Sequence, residues 1–157
     1  MKTHLVFFVL ALGVAFPTLA DTLACPDLST VVQIATCPSE SELKYTFTGY
    51  CSDNARMYSK DTDTCTRYEN YRKLKNIALW ESADGAFQAY LSCDMPTGML
   101  KQLKPATIRV IKKGKLTQLV CGYPEGIAFT HRTKAECKVP GSGNCTADPE
   151  ACKASCN

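Results

Sequence analysis

The sequence predicts a mainly β fold: a small antiparallel sandwich or barrel with at most one or two short helices, held by disulfides. Three observations point there. Apolar and polar residues alternate over short stretches, the signature of half-buried strands. Glycine-containing turns separate those stretches. Ten cysteines sit in a chain of 157 residues that opens on an export-like leader.

The leader comes first. Met1-Lys2 precedes an apolar run from Leu5 to Phe16, followed by Pro17-Thr18-Leu19-Ala20. A basic start, an apolar run of about a dozen residues and a small residue at the cut make a secretory signal peptide, cleaved after Ala20. The run is shorter than the ~20 residues that span a bilayer, and no second hydrophobic segment follows. The expected organisation is a signal peptide over 1–20, a disulfide-bonded β-rich domain over 21–137 and a stapled, cysteine-rich tail over 138–157. The expected location is extracellular, or periplasmic in a bacterium, where thiols oxidise.

The cysteines are Cys25, Cys37, Cys51, Cys65, Cys93, Cys121, Cys137, Cys145, Cys152 and Cys156. An even set behind a leader implies a disulfide framework. Spacing does not encode the pairing, although a local Cys25–Cys37 bridge would enclose one segment neatly. Each bridge typically adds about 2–4 kcal/mol. No C-x-x-C pair occurs and residues 21–157 hold one histidine, His131, so structural zinc is not expected. No cofactor motif is present.

The elements follow in order. Leu23–Thr36 reads as a short helix capped by Asp27 or Ser29, or as a strand, given Val31, Val32 and Ile34. Leu43–Tyr50 alternates Leu43, Tyr45 and Phe47 with Lys44, Thr46 and Thr48, and predicts a strand. Asp61-Thr62-Asp63 has the spacing of a calcium loop but lacks its glycine and terminal glutamate. Tyr68, Tyr71 and Leu74 at helical spacing predict a helix over Thr66–Lys75. Ile77–Trp80 and Phe87–Leu91 alternate around Ala83-Asp84-Gly85 and predict a hairpin, because glycine accepts the positive φ of a tight turn. A second hairpin is predicted where Ile108–Val110 and Leu116–Val120 flank Lys112-Lys113-Gly114-Lys115. Ile127–Lys134 predicts a last strand. In the tail, Asn144-Cys145-Thr146 is an N-glycosylation sequon, relevant only in a eukaryote.

Charge is uneven. The whole chain carries a formal +3. The stretch 96–135 holds eight basic residues, Lys101, Lys104, Arg109, Lys112, Lys113, Lys115, Arg132 and Lys134, against one acidic residue, Glu125. Lysines on a strand edge also block unwanted pairing, and that role alone accounts for many such clusters. A basic face otherwise meets an acidic protein, an anionic surface or an acidic glycan. Nucleic acid is not favoured, because no nucleic-acid motif accompanies the charge.

Catalysis lacks an inventory. No serine sits in a Gly-x-Ser-x-Gly elbow, and no phosphate loop or metal cluster is present. His131 is the one candidate base, with Glu125 and Arg132 as partners in a ribonuclease-like hydrolase. The expected class is therefore a secreted, non-catalytic binding protein: an effector or virulence factor, or an inhibitor, acting on an extracellular or host protein. Its expected contacts are Arg109, Lys112, Lys113 and Lys115 with the aromatics Tyr68, Tyr71 and Trp80. A membrane-active antimicrobial role is the third class, opposed by the low net charge and the absence of a basic amphipathic helix.

Overall fold

The computed structural model describes residues 21–148 and 151–157. The expected signal peptide, residues 1–20, lies outside the described residues. Six strands form the larger sheet: β2 (Val32–Gln33), β3 (Ile77–Glu81), β4 (Gln88–Ser92), β5 (Thr107–Lys113), β6 (Leu116–Gly122) and β7 (Ala128–Thr133). Their order is β2-β3-β4-β7-β6-β5. The smaller sheet orders β1 (Asp21–Ala24), β9 (Lys153–Cys156) and β8 (Cys137–Lys138) as β1-β9-β8. All pairings are antiparallel. The large sheet keeps two open ends, β2 and β5, so it is sandwich-like and not a closed barrel.

Local chemistry explains both hairpins. In the first, Ser82 N–H donates to the Phe87 carbonyl, Phe87 N–H donates to Ser82 Oγ, and Gly85 takes φ +70°. In the second, Gly114 takes φ +62° between Lys113 and Lys115. The chain then leaves β4, crosses to the far edge and returns as the meander β5-β6-β7, which lays β7 beside β4. That is a Greek-key connection.

One core serves both sheets. Phe87, Phe129, Leu119, Leu28, Leu100 and Cys121 are almost wholly buried, in one cluster with Ala154 and Cys156 of β9. Tyr123 closes one end of it. Its ring meets Phe129 edge-on at 6.0 Å, and its hydroxyl donates to the Pro26 carbonyl at 2.6 Å. Burial pushes this phenol well above its ordinary range. A folded-state value raised above the unfolded one gives stability that is complete below pH ~10 and lost as pH climbs past it. Tyr123→Phe should therefore cost about 1 kcal/mol at neutral pH through the lost hydrogen bond. It should also flatten the decline in stability above pH ~10, as read by urea melts against pH. An unchanged alkaline slope would show that Tyr123 is not the responsible group.

Three expectations are corrected. Leu43–Tyr50 is not a strand but part of α1 (Glu40–Tyr50). Ser39 and Glu42 form a capping box: the Ser39 side chain accepts from Glu42 N–H, and the Glu42 carboxylate accepts from Ser39 N–H at 2.7 Å. Once the helix starts, Leu43, Phe47 and Tyr50 share one face. Phe47 packs edge-on against Tyr68 and Tyr71, and Tyr50 tilts onto Tyr71. That packing outweighs the weak helix propensity of threonine and tyrosine. Second, helices exceed the one or two expected. α2 (Thr62–Thr66), α3 (Tyr68–Lys75), α4 (Thr97–Leu100), a π-turn at Arg56–Lys60 and 3₁₀ turns at Leu28–Thr30 and Pro124–Gly126 join α1. α3 falls within the predicted Thr66–Lys75.

The third correction is the local Cys25–Cys37 bridge. Cys25 joins Cys121 and Cys37 joins Cys93, so both tie the N-terminal segment to the large sheet. Cys51–Cys65 staples the end of α1 to α2. Cys137–Cys156 and Cys145–Cys152 close the last segment. All ten cysteines are oxidised. Arg72 adds a polar clamp: it donates to both carboxylate oxygens of Asp94, at 2.7 and 2.9 Å, and this pairing holds the Asp94 carboxyl below its usual range.

Candidate binding face

The large sheet has one face in the core and one face free of it. Register identifies the free face. Arg109 pairs with Val120, Val120 with Thr130, Thr130 with Gln88, Gln88 with Glu81, and Glu81 with Val32. This row crosses all six strands. The next row on the same face runs Ile111, Gln118, Arg132. Because side chains alternate between faces, Lys113 and Tyr90 also belong here. Tyr90, which pairs with Leu79, is 70% exposed.

The row carries its own hydrogen bonds. Gln88 Nε2 donates to Glu81 Oε1 at 2.7 Å, which occupies the one acid on it. Val120 is 5% exposed between its register neighbours Arg109 and Thr130. Arg109, Lys113, Lys115 and Arg132 form no ion pair among the described residues. Lys112 points to the other face and meets Glu136 at 3.1 Å. Lys104 meets Asp27 at 3.6 Å. The basic excess is thus partly spent inside the molecule and partly left facing outward.

A cleft of about 490 Å³ opens in the middle of this face. Its cause is topological. β4 and β7 pair only at Gln88 and Thr130, where Thr130 Oγ1 reaches the Gln88 carbonyl at 3.4 Å. Elsewhere the two strands share no register, and Tyr90, Gln118, Thr130, Arg132 and His131 line the gap. A larger, mostly apolar groove of about 1060 Å³ lies on the helical side between α1, α3 and the Thr36–Pro38 segment.

The expected site residues divide. Arg109, Lys113 and Lys115 are exposed at the β5–β6 hairpin, with Lys112 tied to Glu136. Tyr71 and Trp80 are 3% and 7% exposed and serve as packing. Tyr68 is half-buried with its ring against Phe47. None of these three lies on the basic face: alternation turns Trp80 inward beside Ala78, and α1 covers the α3 tyrosines. Tyr90, Gln88 and Thr130 lie on the free face and were not singled out by the sequence reading. Their signal was present in the alternation, since each is an outward neighbour of an inward Phe87, Ala89 or Phe129.

His131 is half-buried, with Nδ1 2.7 Å from the Ala86 carbonyl and its ring 5.6 Å from Phe87. Arg132 points to the opposite face, and Glu125 sits in the turn beyond the far end of β7. The structure therefore does not gather the three groups a ribonuclease-like reaction would use. No cluster of three metal-ligating side chains forms among the described residues, and none of their helices is long and apolar enough to cross a membrane.

No family model, curated protein or solved structure matches this chain. The chemistry of the face carries the functional reading by itself.

Proposed function

We propose that this is a secreted, non-catalytic binding protein that engages an acidic protein of a host or competitor, as an effector or inhibitor. The observation that carries the reading is the outward basic face. Arg109, Lys113 and Arg132 share one open sheet surface with Tyr90, and no acid among the described residues neutralises them. Arginine and tyrosine are the residue types most enriched where proteins meet, and like-signed charge steers an opposite partner. Oxidation of all ten cysteines fits an extracellular or otherwise oxidising compartment.

The test is capture of a partner from a cell-surface extract by the immobilised protein at low and high salt. Combined Arg109→Glu, Lys113→Glu and Arg132→Glu should weaken capture about tenfold or more and remove most of its salt dependence. The melting temperature should hold, since all three side chains are exposed. Capture that survives the reversal at low salt would sink this face as the contact surface. Retention by heparin or anionic vesicles, with no protein captured, would move the reading to a glycan or lipid surface.

A further inference from the structure

We propose that the outer half of β5 is a docking edge, where an extended acidic segment of the partner adds to the large sheet as a further strand. The inference rests on the basic-face reading and specifies how that face takes its partner.

The protein already uses this edge once. Thr107 bridges Asn144 in antiparallel fashion, Ile108 N–H donates to the Gly143 carbonyl at 2.9 Å, and Cys145 N–H donates to the Ala106 carbonyl at 2.9 Å. The Ala106 carbonyl and Ile108 N–H thus point away from β6, while Ala106 N–H turns back to the Gly122 carbonyl at 2.8 Å. Backbone direction alternates along an antiparallel strand, so Val110 and Lys112 aim theirs outward as well. Among the described residues no strap reaches those two: the backbone bonds from the 143–145 segment end at Ile108.

Glycine chemistry ends the strap there. Gly143 takes φ +67°, and a Cβ on it would collide with the Ile108 carbonyl oxygen. Gly141 takes φ +63°, and the chain turns off the edge. Arg109–Lys113 is left as an open edge at the end of a six-stranded sheet. The opposite edge, β2, is only two residues long and offers no comparable template.

Charge selects the occupant. A second copy of this chain would set Arg109, Lys112 and Lys113 near the same charges, and like charges across strands are destabilising. Lysines on an edge exclude such self-pairing. An acidic strand reverses the sign. Arg109 and Lys113 lie on the free face with the half-buried Ile111 between them, while Val110 turns toward the core and is half-buried. The matching segment therefore alternates acidic, apolar, acidic. Main-chain bonds would supply affinity, and side chains specificity, as in other strand-addition complexes.

The probe is the capped peptide Glu-Val-Glu-Thr-Glu-Val-Glu, titrated into nitrogen-15-labelled oxidised protein at low salt. The amides of Val110 and Lys112 should gain protection from hydrogen exchange, whereas Arg109 and Ile111, already bonded to β6, should change little. Two further peptides carry N-methyl groups on alternate residues. One set should bind about tenfold more weakly and the other nearly as the parent, because only one edge of the added strand faces β5. Val110→Pro, which removes an outward N–H and spares the β6 ladder, should weaken the parent peptide to a similar degree.

Equal binding of all three peptides, or unchanged exchange at Val110 and Lys112, overturns the edge. So does failure of the parent peptide to bind. If partner capture still collapses on charge reversal in any of those cases, the basic face stands and only the strand addition is wrong. If capture ignores charge reversal, the functional reading itself fails.

Discussion

The double substitution Cys25→Ala, Cys121→Ala is expected to remove about 4 kcal/mol of stability. The bridge joins residues 96 positions apart, the widest span of the five. With the nested Cys37–Cys93 bridge intact it still closes a loop of about 40 residues, and the chain-entropy cost it removes from the unfolded state grows with the logarithm of that length. It also joins the segment after β1 to the C-terminal end of β6, where Cys121 is fully buried. Cys145–Cys152 closes only seven residues, so the matching double alanine should cost about 2 kcal/mol. Urea unfolding of the two variants, with the other bridges intact, reads the difference. A domain of ordinary stability holds about 5–15 kcal/mol, so the first loss takes a large part of it. Equal losses would reject loop length as the reason the bridges matter, and would point instead to strain or residual structure in the unfolded chain.

Phe129→Ala should cost about 3–5 kcal/mol, and Tyr90→Ala less than about 1 kcal/mol, although both replace a large ring on the same sheet. The difference is the face. Phe129 is 0% exposed, pairs with Cys121 and meets the Tyr123 ring; Tyr90 is 70% exposed on β4. Truncating the first opens a cavity the close-packed core cannot fill, while truncating the second removes surface that water already touches. Denaturant midpoints at constant slope check both. A large loss at Tyr90 would mean that the free face is covered in solution, as a self-associated dimer would cover it.

Much of the fold was legible where one turn and its flanking strands lie close together. Asp84-Gly85 and Gly114 announce their hairpins, and the alternation through Gln88–Ser92 and Leu116–Val120 sets which side chains share a face. α3 was legible from Tyr68, Tyr71 and Leu74. α1 was misread because Leu43 and Phe47 satisfy both a period of two and a spacing of four. The deciding signal was the Ser39–Glu42 capping box just upstream. The basic hairpin was legible as charge, but the division of that charge was not. Lys112 meets Glu136 across 24 positions of sequence, and only the register separates it from Arg109 and Lys113.

Turn chemistry, alternation and cysteine count are local properties, and they already specify a small, oxidised, mainly antiparallel β protein with a basic hairpin. Tertiary structure alone decided the cysteine partners, the inward place of Trp80 and Tyr71, and the open edge at Val110–Lys112. Each of those depends on which distant segment arrives alongside: Cys121 beside Cys25, α1 over the α3 tyrosines, Gly143 against Ile108. Chain spacing fixes no such neighbour. Burial of a common core selects one arrangement among the many pairings the same residues permit.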